Sequence, residues 1–160
     1  MIRIPVPVRS FVLAAVLMAA PTIAGTSSVT GTFVLNGKDA GLTHARATRV
    51  TLDEEGRKGV AVLLSARPAE GSFAPWRSGD PAERGSFIYV IFEPNGAIWI
   101  AEMGHGAADG RFGVVMEVKV AAYEVKGDHI KAQIRTLREE TFSDDVYTLD
   151  LSFEADVEAP

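Results

Sequence analysis

The feature that most constrains the fold is an alternating run near the end of the chain. From Tyr147 to Val157 every second residue is apolar, and the residues between them are polar. A β-strand directs successive side chains to opposite faces, so this run predicts a strand with one buried and one solvated face. A helix would spread the same apolar residues around its circumference. Because one amphipathic strand is not stable alone, other strands must cover it, and we predict an all-β fold.

Other segments of the chain have the same strand-like character and are separated mostly by turn sequences such as Asn36-Gly37 and Lys126-Gly127-Asp128. Short connections favour antiparallel neighbours. A change of apolar parity near Ala121-Ala122 predicts a β-bulge. The predicted strands cover residues 29–35, 42–52, 60–65, 87–92, 97–103, 114–125, 130–136 and 146–157. Residues 138–145 are predicted to be a polar loop, and Pro81 and Gly85 bound a single helical turn.

Two of these segments, residues 60–65 and 87–92, are apolar on both faces. This pattern predicts central strands that other strands cover on one side and loops partly cover on the other. We therefore predict an antiparallel, immunoglobulin-like β-sandwich of about eight strands. An up-and-down β-barrel that carries a small apolar ligand is the alternative.

Residues 1–24 have the features of a secretory signal peptide. Arg3 and Arg9 supply positive charge, residues 11–20 are apolar, and small residues precede a cleavage site after Ala24. Pro21 ends the apolar run at about half of the roughly 20 residues that a membrane span needs. We therefore expect residues 25–160 to form a single domain, secreted or periplasmic, without membrane insertion after cleavage.

The composition excludes several classes of function. The chain has no cysteine, which rules out disulfides, thiolate metal sites and cysteine nucleophiles. Removal of Arg3 and Arg9 would leave 14 basic and 21 acidic residues, a net charge of −7. An acidic surface repels phosphate backbones, so we expect no binding to nucleic acid.

Several short motifs resemble small secreted bacterial proteins of uncharacterised function. They are residues 31–37 (GTFVLNG), 42–47 (LTHARA), 62–68 (VLLSARP), 134–136 (IRT) and 149–153 (LDLSF). The resemblance spans most of the chain after residue 24. It implies an all-β fold and a secreted location, and it implies no catalytic residues.

The long irregular segment from Arg67 to Gly85 is a candidate ligand-binding region, because loops of this length are often functional. Phe73 and Trp76 either contact a ligand or plug one end of the core. His44 and Arg46 share one face of a predicted strand. They form either a small patch that contacts an anion or part of a solvated face.

A divalent metal is the one cofactor that the sequence suggests. Glu102, His105 and Asp109 surround a glycine-rich loop, and their donor atoms suit such a cation. The alternative is a flexible loop with a solvated histidine. Serine-hydrolase and zinc-protease motifs are absent from the sequence. The carboxylates of Asp150, Glu154 and Asp156 suit either glycoside hydrolysis or a solvated strand face.

The sequence therefore favours an exported, non-catalytic binding or scaffold module. Its partner would be an unidentified protein or small molecule of the cell envelope. Two alternatives stay open. One is a secreted hydrolase or metal-assisted enzyme that uses His105 and Asp109, and the other is the barrel carrier.

Overall fold

The computed structural model describes residues 27–73, 81–107, 111–113 and 117–159. In this part of the chain the fold is all-β, with 11 strands in one curled, open sheet. The strands are β1 (Ser28–Leu35), β2 (Lys38–Asp39), β3 (His44–Thr51), β4 (Lys58–Ser65), β5 (Phe87–Phe92), β6 (Ile98–Gly104), β7 (Arg111–Gly113), β8 (Val118–Lys126), β9 (His129–Thr136), β10 (Glu140–Phe142) and β11 (Asp145–Glu158). Each predicted strand segment overlaps one of them, and residues 114–116 of the predicted 114–125 strand lie outside the described residues. The short strands β2, β7 and β10 were not predicted, and β10 replaces part of the predicted 138–145 loop.

One short helix, α1 (Pro81–Arg84), precedes β5. Its proline stands at the first helical position, and Gly85 ends it at a φ of +87° with an N–H donated to the carbonyl of Pro81 over 2.8 Å. The predicted helical turn is therefore confirmed. Within the residues that the structure describes, no helix has both the length and the hydrophobicity that crossing a bilayer requires.

Strand β11 lies at the centre of the fold. It pairs antiparallel with β1 on one side and with β9 on the other. Its alternate apolar side chains, from Tyr147 to Val157, are all buried, while Asp150, Ser152 and Asp156 between them are exposed. The alternation predicted from the sequence is confirmed.

The end of β11 departs from the antiparallel pattern. Val157 and Glu158 pair in parallel with Ala47 and Thr48 of β3. β1 begins at Ser28, opposite Glu154, so the backbone groups of β11 beyond that point need another partner, and β3 supplies it. The prediction of purely antiparallel pairing is therefore wrong at this junction, and the sheet is mixed.

The pairing with β3 joins two parts of the sheet that curl around one core. One part runs β2-β1-β11-β9-β8, and the other continues from the end of β11 through β3-β4-β5-β6-β7. Apolar side chains from the inner faces of both parts fill the core. The largest of them include Phe33, Tyr147, Phe92, Ile88, Met103, Ile130 and Leu149.

The outer face of β4 and β5 is also covered. Leu63, Tyr89 and Phe73 belong to a second buried cluster, in which Phe73 is 8% exposed. Phe73 comes from the segment that follows β4. The prediction that loops partly cover these two central strands is confirmed.

Local backbone geometry confirms two further predictions. Asn36 and Gly37 both have positive φ, at 50° and 76°, as a tight hairpin turn of this type requires. The register of β8 against β9 shifts between Val120 and Ala122, which is the predicted bulge.

β1 passes close to the backbone of β11 at Gly31. This glycine has a φ of +105°, and a Cβ atom there would lie 2.0 Å from the backbone oxygen of Asp150. Only glycine fits this position, since a side chain would meet both the unusual dihedral angle and the neighbouring backbone.

Candidate functional site

An open groove of about 440 Å³ lies on the outer face of β3 and β4. Outward-facing side chains of β3, β4 and β5 form its floor, among them Val50, Ala61 and Tyr89. The segment from Gly71 to Phe73 forms one wall, and the end of β11 at Glu158 forms the other. The small side chain of Ala61, between larger neighbours, gives the groove part of its depth.

Arg46 holds the two walls of the groove together. Its Nε donates to Oε1 of Glu158 at 3.1 Å, and its Nη2 forms an ion pair with Oε2 of the same carboxylate at 2.5 Å. Its Nη1 donates to the carbonyl oxygens of Ala69 and Gly71, each at 2.9 Å. The guanidinium carbon also lies 5.2 Å from the centre of the Phe73 ring. The fork geometry of arginine is what allows one side chain to bind both walls.

Replacing Arg46 with alanine is expected to lower the free energy of unfolding by about 2 kcal/mol. The change removes charge-assisted hydrogen bonds to the 69–73 segment, and the side chain is only 25% exposed. Arg46→Lys keeps the charge without the fork and should recover only part of the loss. Hydrogen exchange by mass spectrometry should show faster exchange in residues 69–73.

Arg135→Ala is the matched control for this variant, because Arg135 is exposed on β9, away from the groove. We expect its effect to stay within about 0.5 kcal/mol. Equal exchange rates for the 69–73 segment in the Arg46→Ala and Arg135→Ala variants would contradict the anchoring role.

The structure brings together two of the residues predicted to form a ligand site, Arg46 and Phe73. His44 lies half-buried on the same face of β3, beside Ser65 of β4 and outside the groove lining. Trp76 lies outside the described residues. Phe73 packs in the outer cluster and also lines the groove, and its contact with a ligand stays a prediction.

Glu102 and His105 are not brought together. Glu102 lies on β6 opposite Tyr89, on the outer face of the sheet. His105 is 3% exposed and contacts the core residue Phe33, with ring centroids 5.1 Å apart. The alternative expectation of a solvated histidine is therefore wrong. Asp109 lies outside the described residues, so its role as a metal ligand stays a prediction.

Both ring nitrogens of His105 have protein partners. The N–H of Ala107 donates to Nδ1 over 3.0 Å, so Nδ1 carries no proton. Nε2 therefore carries the proton and donates to the carbonyl oxygen of Lys38 at 3.0 Å. Burial lowers the pKa of this imidazole, which favours the neutral form. No cluster of three or more histidine or acidic side chains suited to a metal ion occurs in the described ranges.

The neutral state of His105 predicts a loss of stability in acid. The unfolded chain binds a proton near pH 6.5, the ordinary value for histidine, while the folded chain binds it only at lower pH. The free energy of unfolding should therefore fall as the pH drops below about 6.5, by at most about 1.4 kcal/mol per pH unit. Urea unfolding between pH 7.5 and 5 measures this slope.

His105→Gln should flatten that dependence. Gln can still donate to the Lys38 carbonyl but does not titrate. Parallel pH slopes for the wild type and His105→Gln would contradict the assignment of His105 as the titrating group.

The row of carboxylates on β11 is occupied by cross-strand contacts. Nδ1 of His129 lies 2.9 Å from Asp156 and its Nε2 lies 3.9 Å from Glu154. The amide of Gln133 donates to Asp150 over 2.8 Å. Such pairs across a polar strand face are typical of a solvated surface.

Sequence reasoning missed Thr48, Val50, Tyr89 and Glu158 as parts of the groove. One signal was present: Arg46, Thr48 and Val50 alternate along β3 and line one face together. The contribution of Glu158 depends on the parallel pairing of β11 with β3, which no local pattern encodes.

The described structure thus defines an all-β protein with a groove on the outer face of its sheet. Searches of protein-family models, curated proteins and solved structures gave no significant match to this chain.

Proposed function

We propose that this protein is an exported, non-catalytic binding module of the cell envelope that holds a small ligand in the groove between β3 and residues 71–73. The observation that carries the proposal is the Arg46 network, which fixes two walls beside an apolar floor. A sheet face that served only as a solvated surface would not require an arginine bound to both sides of a depression.

The dimensions and chemistry of the groove support a small ligand. Its volume of about 440 Å³ falls within the range of about 300–1,000 Å³ that is typical of small-molecule sites. Apolar floor residues can cover a hydrophobic body, and Thr48, Arg49 and Glu158 at the rim can orient polar groups. A scaffold that binds only a protein partner would need an exposed patch instead of a walled groove.

The surroundings of His105 favour the non-catalytic alternative over the metal-assisted one. A metal ligand or general base needs a ring nitrogen directed at a metal or substrate, and both nitrogens of His105 are bonded to backbone groups. An enzyme that uses this loop would depend on rearrangement of the histidine.

We further propose that the curled sheet forms a β-sandwich with a filled core, and not a β-barrel that carries an apolar ligand. Support comes from the inner faces, where Phe33, Phe92 and Phe153 occupy the space that a carried ligand would need. Phe92 and Phe153 approach each other across the core, with ring centroids 6.2 Å apart.

Export is proposed from residues 1–24, which lie outside the described residues. Mass spectrometry of the protein recovered after expression of the full-length chain tests this step. We expect an N-terminus at Gly25, and a recovered protein that keeps residues 1–24 would contradict it.

Native mass spectrometry of the exported protein tests the groove itself. We expect the wild type to retain a small molecule and Thr48→Trp to lose it, because the indole would fill the groove above Ala61. Thr30→Trp, on the outer face of β1, is the matched control and should retain the ligand. A wild-type protein without ligand, or equal retention by both tryptophan variants, would contradict the proposal.

A further inference from the structure

Strand β8 forms one edge of the sheet. Within the part of the chain that the structure describes, it pairs with β9 alone, from Val118 to Lys126. A strand directs its N–H and C=O groups alternately to its two sides, so the side of β8 away from β9 offers a row of hydrogen-bonding groups. With nine residues, β8 is long enough to pair with a strand of another molecule along this side.

The bulge near Ala121-Ala122 decides which side chains of β8 share a face. A regular strand would place the apolar residues before and after it on opposite faces. The extra residue reverses the alternation, so the four largest apolar side chains all pack against the main core: Val118, Val120, Tyr123 and Val125. Lys119, Glu124 and Lys126 are exposed. Both halves of the strand therefore have an apolar inner face and a charged outer face.

A second copy of β8 complements this edge in one antiparallel register. When Ala121 of one copy lies opposite Ala122 of the other, each apolar residue faces an apolar residue and each charge faces its opposite. The facing pairs are Glu117 with Lys126, Val118 with Val125, Lys119 with Glu124, and Val120 with Tyr123. Two-fold symmetry makes every pair occur twice, and the two bulges lie opposite each other at the centre, where the side chains are small.

Other registers of the same two strands are unfavourable. A shift of one residue would place inner side chains opposite outer ones. A shift of two residues in one direction would place Glu117 opposite Glu124. In the other direction it would place Lys119 opposite Lys126. Lysines and a bulge often protect a strand edge from pairing, but here the same charges attract each other in one register. The ion pair of Lys126 with Glu124 in one copy, at 2.8 Å, is exposed and easily exchanged.

We propose that the protein forms a two-fold symmetric dimer through antiparallel pairing of β8 with β8 of a second copy. The pairing joins the β2-β1-β11-β9-β8 parts of both copies into one continuous sheet. Cross-strand pairs of Lys119 with Glu124 and of Glu117 with Lys126 set the register. This inference goes beyond the proposed function and does not depend on the groove or on its ligand.

Sedimentation velocity of the exported protein over a range of concentrations tests the dimer. We expect a monomer–dimer equilibrium with a Kd of about 10–100 µM, because one pair of strands buries a small interface. Lys119→Glu and Glu124→Lys should each raise this Kd at least about tenfold, since each change places two like-charge pairs across the interface. An equimolar mixture of the two variants should recover the wild-type affinity, because both positions then face an opposite charge.

Lys38→Glu is the matched control. It makes the same change of charge at an exposed position on β2, at the other end of this part of the sheet, and should associate as the wild type does. Hydrogen exchange by mass spectrometry, at concentrations above and below the Kd, locates the interface. Residues 118–126 should exchange more slowly in the dimer. Thermal unfolding checks that the Lys119→Glu and Glu124→Lys variants are folded, as their exposed positions lead us to expect.

Three results would overturn the inference. A wild-type protein that stays monomeric at about 1 mM would exclude a specific dimer. Association with unchanged exchange in residues 118–126 would place the contact on another surface. A mixture of the two folded variants that associates no better than either variant alone would exclude the proposed register. The ligand retained in the Thr48→Trp comparison decides the proposed function separately.

Discussion

Replacing Gly31 with alanine is expected to lower the free energy of unfolding by about 3 kcal/mol or more. The φ of +105° at this position is one that L-residues rarely adopt, and such backbone strain costs about 1–3 kcal/mol. The added methyl group would also lie 2.0 Å from the backbone oxygen of Asp150. Since this oxygen belongs to the central strand, relief of the clash requires β1 to move away from β11.

Gly127→Ala separates the two causes. Gly127 also has a positive φ, of 59°, but nothing lies within 4 Å of the position a Cβ would take. We expect this variant to lose only about 1 kcal/mol. Chemical unfolding of both variants measures the difference. Equal losses of unfolding free energy would show that the close approach of β1 and β11 does not contribute to the effect of Gly31→Ala.

Phe153→Ala is expected to lower the free energy of unfolding by about 3–5 kcal/mol, the usual range for a buried phenylalanine. Phe153 is 2% exposed at the middle of β11, between Val29 of β1 and Ala132 of β9. Its ring also approaches Phe92 of β5. One side chain thus joins both parts of the curled sheet, and neighbours that belong to paired strands cannot collapse readily into the cavity.

Ser152→Ala is the control for this variant, because Ser152 is exposed on the same strand. We expect a change within about 0.5 kcal/mol. Phe153→Leu should lie between the two, since it leaves a smaller cavity. Urea or thermal unfolding is the measurement, and a loss below about 1 kcal/mol for Phe153→Ala would contradict the central packing role of this ring.

The features that depend on residues close together in the sequence were predicted correctly. The alternation along β11, the turn at Asn36-Gly37 and the bulge near Ala121-Ala122 arise from side-chain period and local backbone preference. The burial of both faces of β4 and β5 was predicted from the uniformly apolar composition of these strands, which is also a local property of the sequence.

Features that depend on distant residues were not predictable in this way. The parallel pairing of Val157 with Ala47 joins positions far apart in the chain. His105 lies in a glycine-rich loop that indicates exposure, yet the Lys38 carbonyl and the Phe33 ring enclose it. Arg46 was a candidate for anion contact, but its acceptors on Ala69, Gly71 and Glu158 were identifiable only from the tertiary structure.

β11 leaves the ribosome after every other described strand, yet it lies between β1 and β9. Until it is synthesised, the edges that those two strands offer to β11 lack this partner. Contacts between β1 and β11, which lie far apart in sequence, form slowly, because the closure of a long loop precedes the gain from pairing. A nascent chain that stops before Tyr147 therefore presents unpaired edges to chaperones and proteases, not a smaller version of the same domain.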